Sequence, residues 1–527
     1  MRAQKIEFKQ KFSKGFAWTK GENNVPIQYG AVCQNIRIQD LWIVPRWGTE
    51  LIYQWTAWHK IQWIFAYENT NRLFRIYQWK LEEVDIVAGT ITDRSWAITM
   101  PTTWAMYMFS FDKYIIICTG TTLPYTFNTN TNTLVLDTTL PASTFPSFGS
   151  VFWNYTFLAY KNILYFSKPI TLTNPEYAVN WTTWTWTQQI VYKEYINGLK
   201  STLDKLWITV GSDIEFLDQN TVSNVGSTVN IFSTKFGQDQ NVLNNAVIVP
   251  VGSKLFYVTK WFKIRAIGYT QWVAQLQIAD ISDVPAVGID NFLQTKLAAD
   301  QSKAFGFFDE KNNMIQRHFV PLWSLEPTLV VCYSLINMCY VEFTWLAFGW
   351  VTTMWSRIFA STCRWDNKIL EFEVWKSDLW NSYKCVYESQ NIKYWQPNLV
   401  KFHRGAEFGW KMNQFTRQVI ESFVDWKSAM RPYISYPISS TNGWLTQGPG
   451  IAESALWEQA VAGTIWVSDV DAPLLNYNMV ITSSMVRLKG KAIKWRLTME
   501  GIGQDWIIDY MAGFVLPSTR YQLSDKF

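Results

Sequence analysis

An all-β fold, a β-propeller followed by a C-terminal β-sandwich-like domain, is the class this 527-residue chain predicts. Three observations carry it. No window longer than about two turns keeps the i, i+3, i+4, i+7 apolar stripe of an amphipathic helix. Short apolar runs bounded by Gly, Asn, Asp or Pro recur instead, as in Lys113-Tyr-Ile-Ile-Ile-Cys118, Tyr155-Thr-Phe-Leu-Ala159, Lys205-Leu-Trp-Ile-Thr-Val210 and Lys254-Leu-Phe-Tyr-Val-Thr259. Third, the polar turns that open these runs fall near positions 112, 154, 204 and 253, with further candidates near 67, 309 and 366. A repeat of about forty to fifty residues holds about four short strands, which is the length of one propeller blade.

This rhythm divides the chain. Residues 1–60 read as an N-terminal segment that closes onto the propeller, 61–390 as the propeller, and 391–527 as a C-terminal β domain with long loops. The blades share strand and turn spacing rather than one motif, and a β-sandwich array gives a similar rhythm. The repeat ends near Tyr387-Glu388-Ser389, after which Gly, Pro, Ser and Asn become frequent, notably over 443–450. Further on, Lys491 to Met499 alternates Ile493, Trp495, Leu497 and Met499 with Lys494, Arg496 and Thr498. That is a half-buried strand. Gly501-Ile-Gly-Gln-Asp505 turns it, and Trp506 to Met511 returns.

Composition bounds the function. Apolar residues make up 48% and charged residues only 17%, against a usual quarter or so charged. Low charge with abundant Thr, Asn and aromatics suits a β-rich protein inside a larger assembly. A net charge of +5 is too small to indicate nucleic-acid binding by one copy, although a ring of copies multiplies it. The six cysteines, Cys33, Cys118, Cys332, Cys339, Cys363 and Cys385, show no C-x-x-C pair and read as free buried thiols, as in a protein assembled in a reducing host cytoplasm. The basic stretch from Met1 to Phe16 lacks the apolar h-region of a secretory signal. Leu329 to Trp355, the most hydrophobic stretch, is broken by Asn337 and Glu342 and rich in β-branched and aromatic residues. It reads as paired strands, so no membrane segment is expected.

A search for chemistry finds none. His59, His318 and His403 lie far apart, outside any metal-ligand spacing, and read as structural or surface residues. The chain has no G-x-S-x-G, phosphate loop or H-E-x-x-H. Gly501-Ile-Gly503 lies between two strands and reads as a turn. Glu82-Glu83 and Asp366, Glu371 and Glu373 are carboxylates of the kind glycoside chemistry pairs across a cleft, but alternating acids on a strand usually form its solvated face. Lys489, Lys491, Lys494 and Arg496 would suit phosphate contacts and equally an ordinary wet face. No catalytic residue, metal ligand or cofactor site is predicted, and the chain is not expected to be an enzyme.

The tryptophans are the anomaly: 31 of them against 26 glycines. Several occupy turn-like contexts, as in Asp40-Leu41-Trp42, Tyr77-Gln78-Trp79-Lys80, Trp365-Asp366-Asn367-Lys368 and Asp378-Leu379-Trp380-Asn381. Tight hairpins need φ > 0 at one or two positions, which glycine adopts freely. A bulky residue there costs roughly 1–2 kcal/mol. Exposed tryptophans would otherwise serve to stack on sugars.

Several stretches together resemble one family. Val25-Pro26-Ile27, Gly30-Ala31, Gln34-Asn35-Ile36-Arg37, Asp40 and Arg46-Trp47-Gly48-Thr49 are similar to the N-terminal pattern N-x-R-x-x-D-G-x-x-x-x-R-x-G-T of short-tailed (podovirus-like) phage tail hub proteins of the packaged-DNA stabilisation type. Ile163-Leu-Tyr-Phe-Ser-Lys-Pro169 with Asn174-Pro175 resembles the family's I-Y-F-S-x-P strand, and Leu206 to Glu215 its L-I-V-F-G-x-x-S-I-E strand. Asp366 to Glu373 followed by Tyr387-Glu-Ser389 is similar to the D-G-K-I-Y…E-S close of the propeller, and Gly490 to Leu497 to the C-terminal G-R-x-x-x-F-R-F strand. The resemblance implies a virion structural protein: a homo-oligomeric hub or nozzle ring in the tail, below the portal or adaptor, that lines or closes the DNA exit channel. Its implied partners are further copies of itself, the portal or adaptor, tail needle or fibre proteins, and double-stranded DNA in transient, non-specific contact. The alternative is a carbohydrate-binding or glycan-cleaving β-propeller used for host-surface attachment.

Where the family pattern wants glycine, this chain has Trp42, Trp375 and Trp380. If half of the tryptophans were glycines, Gly would rise to about 41, or roughly 8%, close to the usual share of 7% or so. The expectation is that some of these codons are UGA, reassigned to glycine in the host and rendered here as Trp.

Overall fold

The computed structural model describes residues 30–517 except 40–41, 47, 55–60, 97, 102–105, 170–178, 180, 182–188, 220, 226–227, 271–272, 283–287, 345, 364–367, 373–382, 391–400, 413–416, 425–426, 429–432, 438–443, 448–474, 482–487 and 502–505. Seven four-stranded antiparallel blades follow one another. Six are continuous in sequence, over 61–93, 107–136, 148–191, 196–238, 249–280 and 305–343. The seventh takes three strands from 348–372 and its outermost strand, Thr49–Gln54, from near the N-terminus, with Phe372 opposite Thr49 and Lys368 opposite Gln54. The first and last strands of the propeller in chain order thus close the ring by hydrogen bonding, and blade 7 meets blade 1 where Trp63 and Trp350 stack.

The apolar runs legible in the sequence are the second strands of the blades. Tyr114–Cys118, Leu206–Val210 and Met314–Phe319 are buried at every position. Each is covered on both faces by neighbouring blades, so the first two read as continuous apolar runs rather than alternating ones, while Met314–Phe319 buries Gln316, Arg317 and His318 as well. The first strands crowd round the ring axis, and small residues admit the crowding. A Cβ on Gly149 would collide with the ring of Phe109 in blade 2 and approach the Phe157 carbonyl oxygen to 2.6 Å. Gly149→Ala is therefore expected to lower stability by about 1–3 kcal/mol, as overpacking does. A thermal midpoint within error of the parent would refute this.

The expected seventh turn, near 366, falls among residues not described here, between the second and third strands of blade 7. The first hairpin of that blade, equivalent to the turns at 112 and 253, is Trp355-Ser356. A tryptophan at its tip hid it.

Leu329 to Trp355 resolves into the strands Leu329–Ser334, Cys339–Phe343 and Phe348–Met354. Among the described residues no helix is long and apolar enough to cross a membrane. All six cysteines are buried and unbonded to one another. Among the described residues the one α-helix, Ile289–Lys296, lies between blades 5 and 6 and buries Ile289, Phe292 and Leu293.

Beyond blade 6 the sheet continues. Its outer strand, Cys339–Phe343, meets Gly30–Gln34, which pairs with Tyr383–Ser389, then Ile493–Gly501, Arg417–Val424, Tyr433–Pro437 and Trp444–Gln447. A second sheet orders Ile36–Gln39, Trp42–Pro45, Trp506–Pro517, Lys401–Met412 and Leu475–Ile481. Ile493, Trp495, Leu497 and Met499 are each about 1% exposed, as their alternation requires, and share one core with Trp506 and Ile508 of the second sheet.

Two sequence expectations change here. Trp506–Pro517 does not return beside Ile493–Gly501 but crosses to the opposing sheet, because both strands bury their apolar faces in the core between the sheets. The last blade strand is Lys368–Phe372, and Tyr383–Ser389 lies in the C-terminal sheet rather than closing the propeller.

Candidate functional site: the joint between propeller and C-terminal sheets

Asn35 separates Gly30–Gln34 from Ile36–Gln39 and lets the chain step from one sheet to the other. Its φ of 56° is the left-handed conformation that Asn tolerates better than other non-glycine residues. The side chain is fully buried and fully used. Oδ1 accepts from the Arg46 Nε at 3.0 Å and from the Thr344 backbone N–H at 2.7 Å. Nδ2 donates to the Thr344 hydroxyl at 2.7 Å and to the Lys384 carbonyl at 2.6 Å. One amide thereby ties the N-terminal strands, the end of blade 6 and the C-terminal sheet.

Arg46, 1% exposed, completes the joint. Its guanidinium lies 4.1 Å from the centroid of the Tyr383 ring, a cation–π contact. The Tyr383 hydroxyl donates back to the Arg46 carbonyl, and the Cys385 thiol donates to the Asn35 carbonyl at 3.0 Å. Nearby, Gln34 donates to Glu342 at 3.2 Å, and burial pushes that carboxyl above its ordinary range. Asn337 donates to the Ile38 carbonyl at 2.6 Å.

The strand row of cations is mostly committed to neighbouring strands. Lys494 ion-pairs with Glu388, and Arg496 pairs with the same carboxylate at 2.6 Å and reaches Glu421 at 3.7 Å. Glu388 is 4% exposed, whereas the Arg496 side chain is 39% exposed and Lys491 is exposed, so the face is a half-buried ion network open to solvent at its cations. Lys491 has a partner of its own; the side chain of Lys489 is not described.

The candidate acids part in the same way. Glu82 and Glu83, adjacent on one strand, face opposite sides: Glu82 pairs with Arg75 at 2.7 Å, Glu83 with Arg72 at 2.6 Å and Arg94 at 2.7 Å. Those two arginines hold the Glu83 carboxyl below its ordinary range against the opposing effect of burial. Glu371 is held by Arg357 at 2.7 Å. These are partly buried structural pairs, not the solvated acids expected and not two carboxyls across a cleft. Asp366 and Glu373 lie outside the described residues, as do His59 and Gly503. His318 is buried in blade 6, stacked on Phe305 at 4.5 Å. Among the described residues no group of three His, Cys, Asp or Glu side chains is placed to hold a metal ion.

A cavity of about 320 Å³ opens at the ring axis among Lys200, Pro250, Phe307, Glu310, Thr353 and Trp355. That volume is at the lower end for a small-molecule pocket. Lys200 at its rim donates to the Tyr107 hydroxyl at 2.7 Å.

Fold and joint together define a seven-bladed β-propeller extended, through the edge of blade 6 and a buried Asn–Arg network, into a C-terminal two-sheet domain. No protein-family model and no curated protein matches the chain. Among solved structures it is similar to a chain of a mitotic checkpoint complex, with a TM-score of 0.36, 8% identity, and coverage of 59% of this chain and 88% of that one. It is also similar to U3-55K, with a TM-score of 0.41, 6% identity, and coverage of 62% and 98%. No functional conclusion rests on likenesses this distant. Propellers serve many unrelated functions, so function has to be argued from the site.

Proposed function

We propose that the chain is a structural protein of a phage tail: a hub or nozzle subunit that forms a ring below the portal or adaptor and lines or closes the DNA exit channel. The observation that carries the reading is where the family-like residues fall. Asn35 and Arg46 tie the end of blade 6 to the C-terminal sheet, and Glu388 and Arg496, more than 450 residues from Asn35 at the farthest, pair two neighbouring strands within that sheet. Ser389, of the same motif, accepts from the Trp495 backbone N–H at 3.0 Å. Motif residues spent on the joint and on the sheet that leaves it suit a part whose work is to hold a shape under load.

The role is mechanical and electrostatic, not catalytic. DNA would pass between copies, in a lumen shared by the ring. Blade-edge loops would bind the adaptor above and a needle or fibre below. The cations of the C-terminal strand are largely spent on Glu388 and Glu421, which suits a weakly basic lumen where DNA slides. A dozen strong phosphate contacts would hold it, because affinity and its salt dependence grow with every phosphate neutralised.

Electron microscopy of the purified chain, alone and with tail particles, tests this. Rings with a central opening wider than a duplex are expected, seated at the portal end of the tail. A protein that stays monomeric at high concentration and binds a glycan array would instead establish the host-surface attachment reading.

A further inference from the structure

We infer that positions 96, 153 and 355 are glycine in the protein as its own host makes it, their codons being UGA read there as glycine. The argument is geometric and independent of the proposed function. Four blades join their first and second strands through two-residue loops: Asp112-Lys113, Trp153-Asn154, Gly252-Ser253 and Trp355-Ser356. The first residue of each is left-handed, with φ of 52°, 52°, 58° and 55°. Three second-to-third-strand hairpins, Gln78-Trp79, Lys161-Asn162 and Gly211-Ser212, repeat the geometry with φ of 57°, 52° and 55° at their first residue, so Trp79 itself is not left-handed. The backbone therefore sets one conformation at one place in the repeat, and Trp153 and Trp355 stand where Gly252 stands. Trp96, in the turn after blade 1, has φ of 54°.

Among the described residues twelve non-glycine residues have positive φ, and five are Asn or Asp, whose short side chains suit the region. Three are Trp, for which it is an outlier. Nothing in the packing offsets this. Trp96, Trp153 and Trp355 are 81%, 39% and 63% exposed. Trp153 rests on its neighbour Phe152, and the Trp355 indole makes one exposed hydrogen bond, to Asn71 at 2.7 Å. Trp181, Trp207, Trp495 and Trp506 are different: each is 1% exposed and fills a core, so these four are tryptophan in any host.

Codons and masses decide the matter. The gene is expected to carry UGA at 96, 153 and 355 and UGG at 181, 207, 495 and 506. Peptides of the protein isolated from its native source are expected to have the mass of glycine at the first three positions and of tryptophan at the last four. UGG at 96, 153 and 355 overturns the inference, and so does a tryptophan mass there whatever the codon. A recombinant chain gives a second reading: W153G/W355G should melt several degrees above the Trp-containing chain. An unchanged or lower midpoint would mean that the indoles belong where they are.

Discussion

Asn35→Ala is expected to destabilise the protein by about 3–5 kcal/mol, the summed contribution of four hydrogen bonds, one of them to a charged group. The substitution removes the acceptor that Arg46 Nε and the Thr344 N–H share, and the donor serving Thr344 and the Lys384 carbonyl. Thr344 is half-buried and Lys384 exposed, so water recovers part of the lost bonding, and a neutral group left unsatisfied costs roughly 1–3 kcal/mol. The left-handed backbone at Asn35 would complicate the comparison, so Asn35→Gly is the informative partner. It keeps the conformational freedom and deletes only the network. Both variants should lose most of the same stability in urea unfolding, with the C-terminal sheets separating from the propeller as an earlier transition. If Asn35→Gly unfolds within 1 kcal/mol of the parent, the joint is not held by this side chain.

His318→Phe is expected to remove an acid-sensitive component of stability. His318 is enclosed by Phe305, Phe307 and Phe348, and burial pushes its pKa from 6.5 down to about 3. With the folded value below the unfolded one, the imidazole stays neutral in the fold while the unfolded chain takes up a proton. Its contribution is therefore undiminished above pH 6.5 and drains away as the pH falls toward 3, by about 1.4 kcal/mol per pH unit. Between pH 7 and pH 4 the parent should lose on the order of 3 kcal/mol more than His318→Phe, which keeps an aromatic ring in the stack. Parallel acid limbs for the two proteins would show that His318 reaches a proton, or a compensating partner, in the folded state.

How far these features could be read in advance depended on distance along the chain. The second strands of the blades were legible because burial on both faces writes itself as an unbroken apolar run, as in Tyr114–Cys118. The Ile493-to-Met499 stripe was legible because a sandwich strand buries alternate residues. The blade 7 hairpin was not: Trp355 stands where Asp112 and Gly252 mark equivalent turns, and Ser356 follows it where Asn154 follows Trp153. The acids were misjudged as solvated because their arginine partners, Arg75 for Glu82 and Arg357 for Glu371, sit on adjacent strands whose register composition does not reveal.

By itself the sequence determined an all-β chain with a blade-length repeat and a later alternating strand, since local apolar pattern and turn chemistry act within a few residues. Only the tertiary structure decided what joins those parts. Thr49–Gln54 closes a blade whose other strands lie some 300 residues away, and Asn35 meets Thr344 and Lys384 across similar gaps. A lone Asn or Arg carries no pattern in sequence. Burial with four hydrogen-bond partners is a property of the folded neighbourhood, and so is the left-handed hairpin position that turns three tryptophans from abundance into strain.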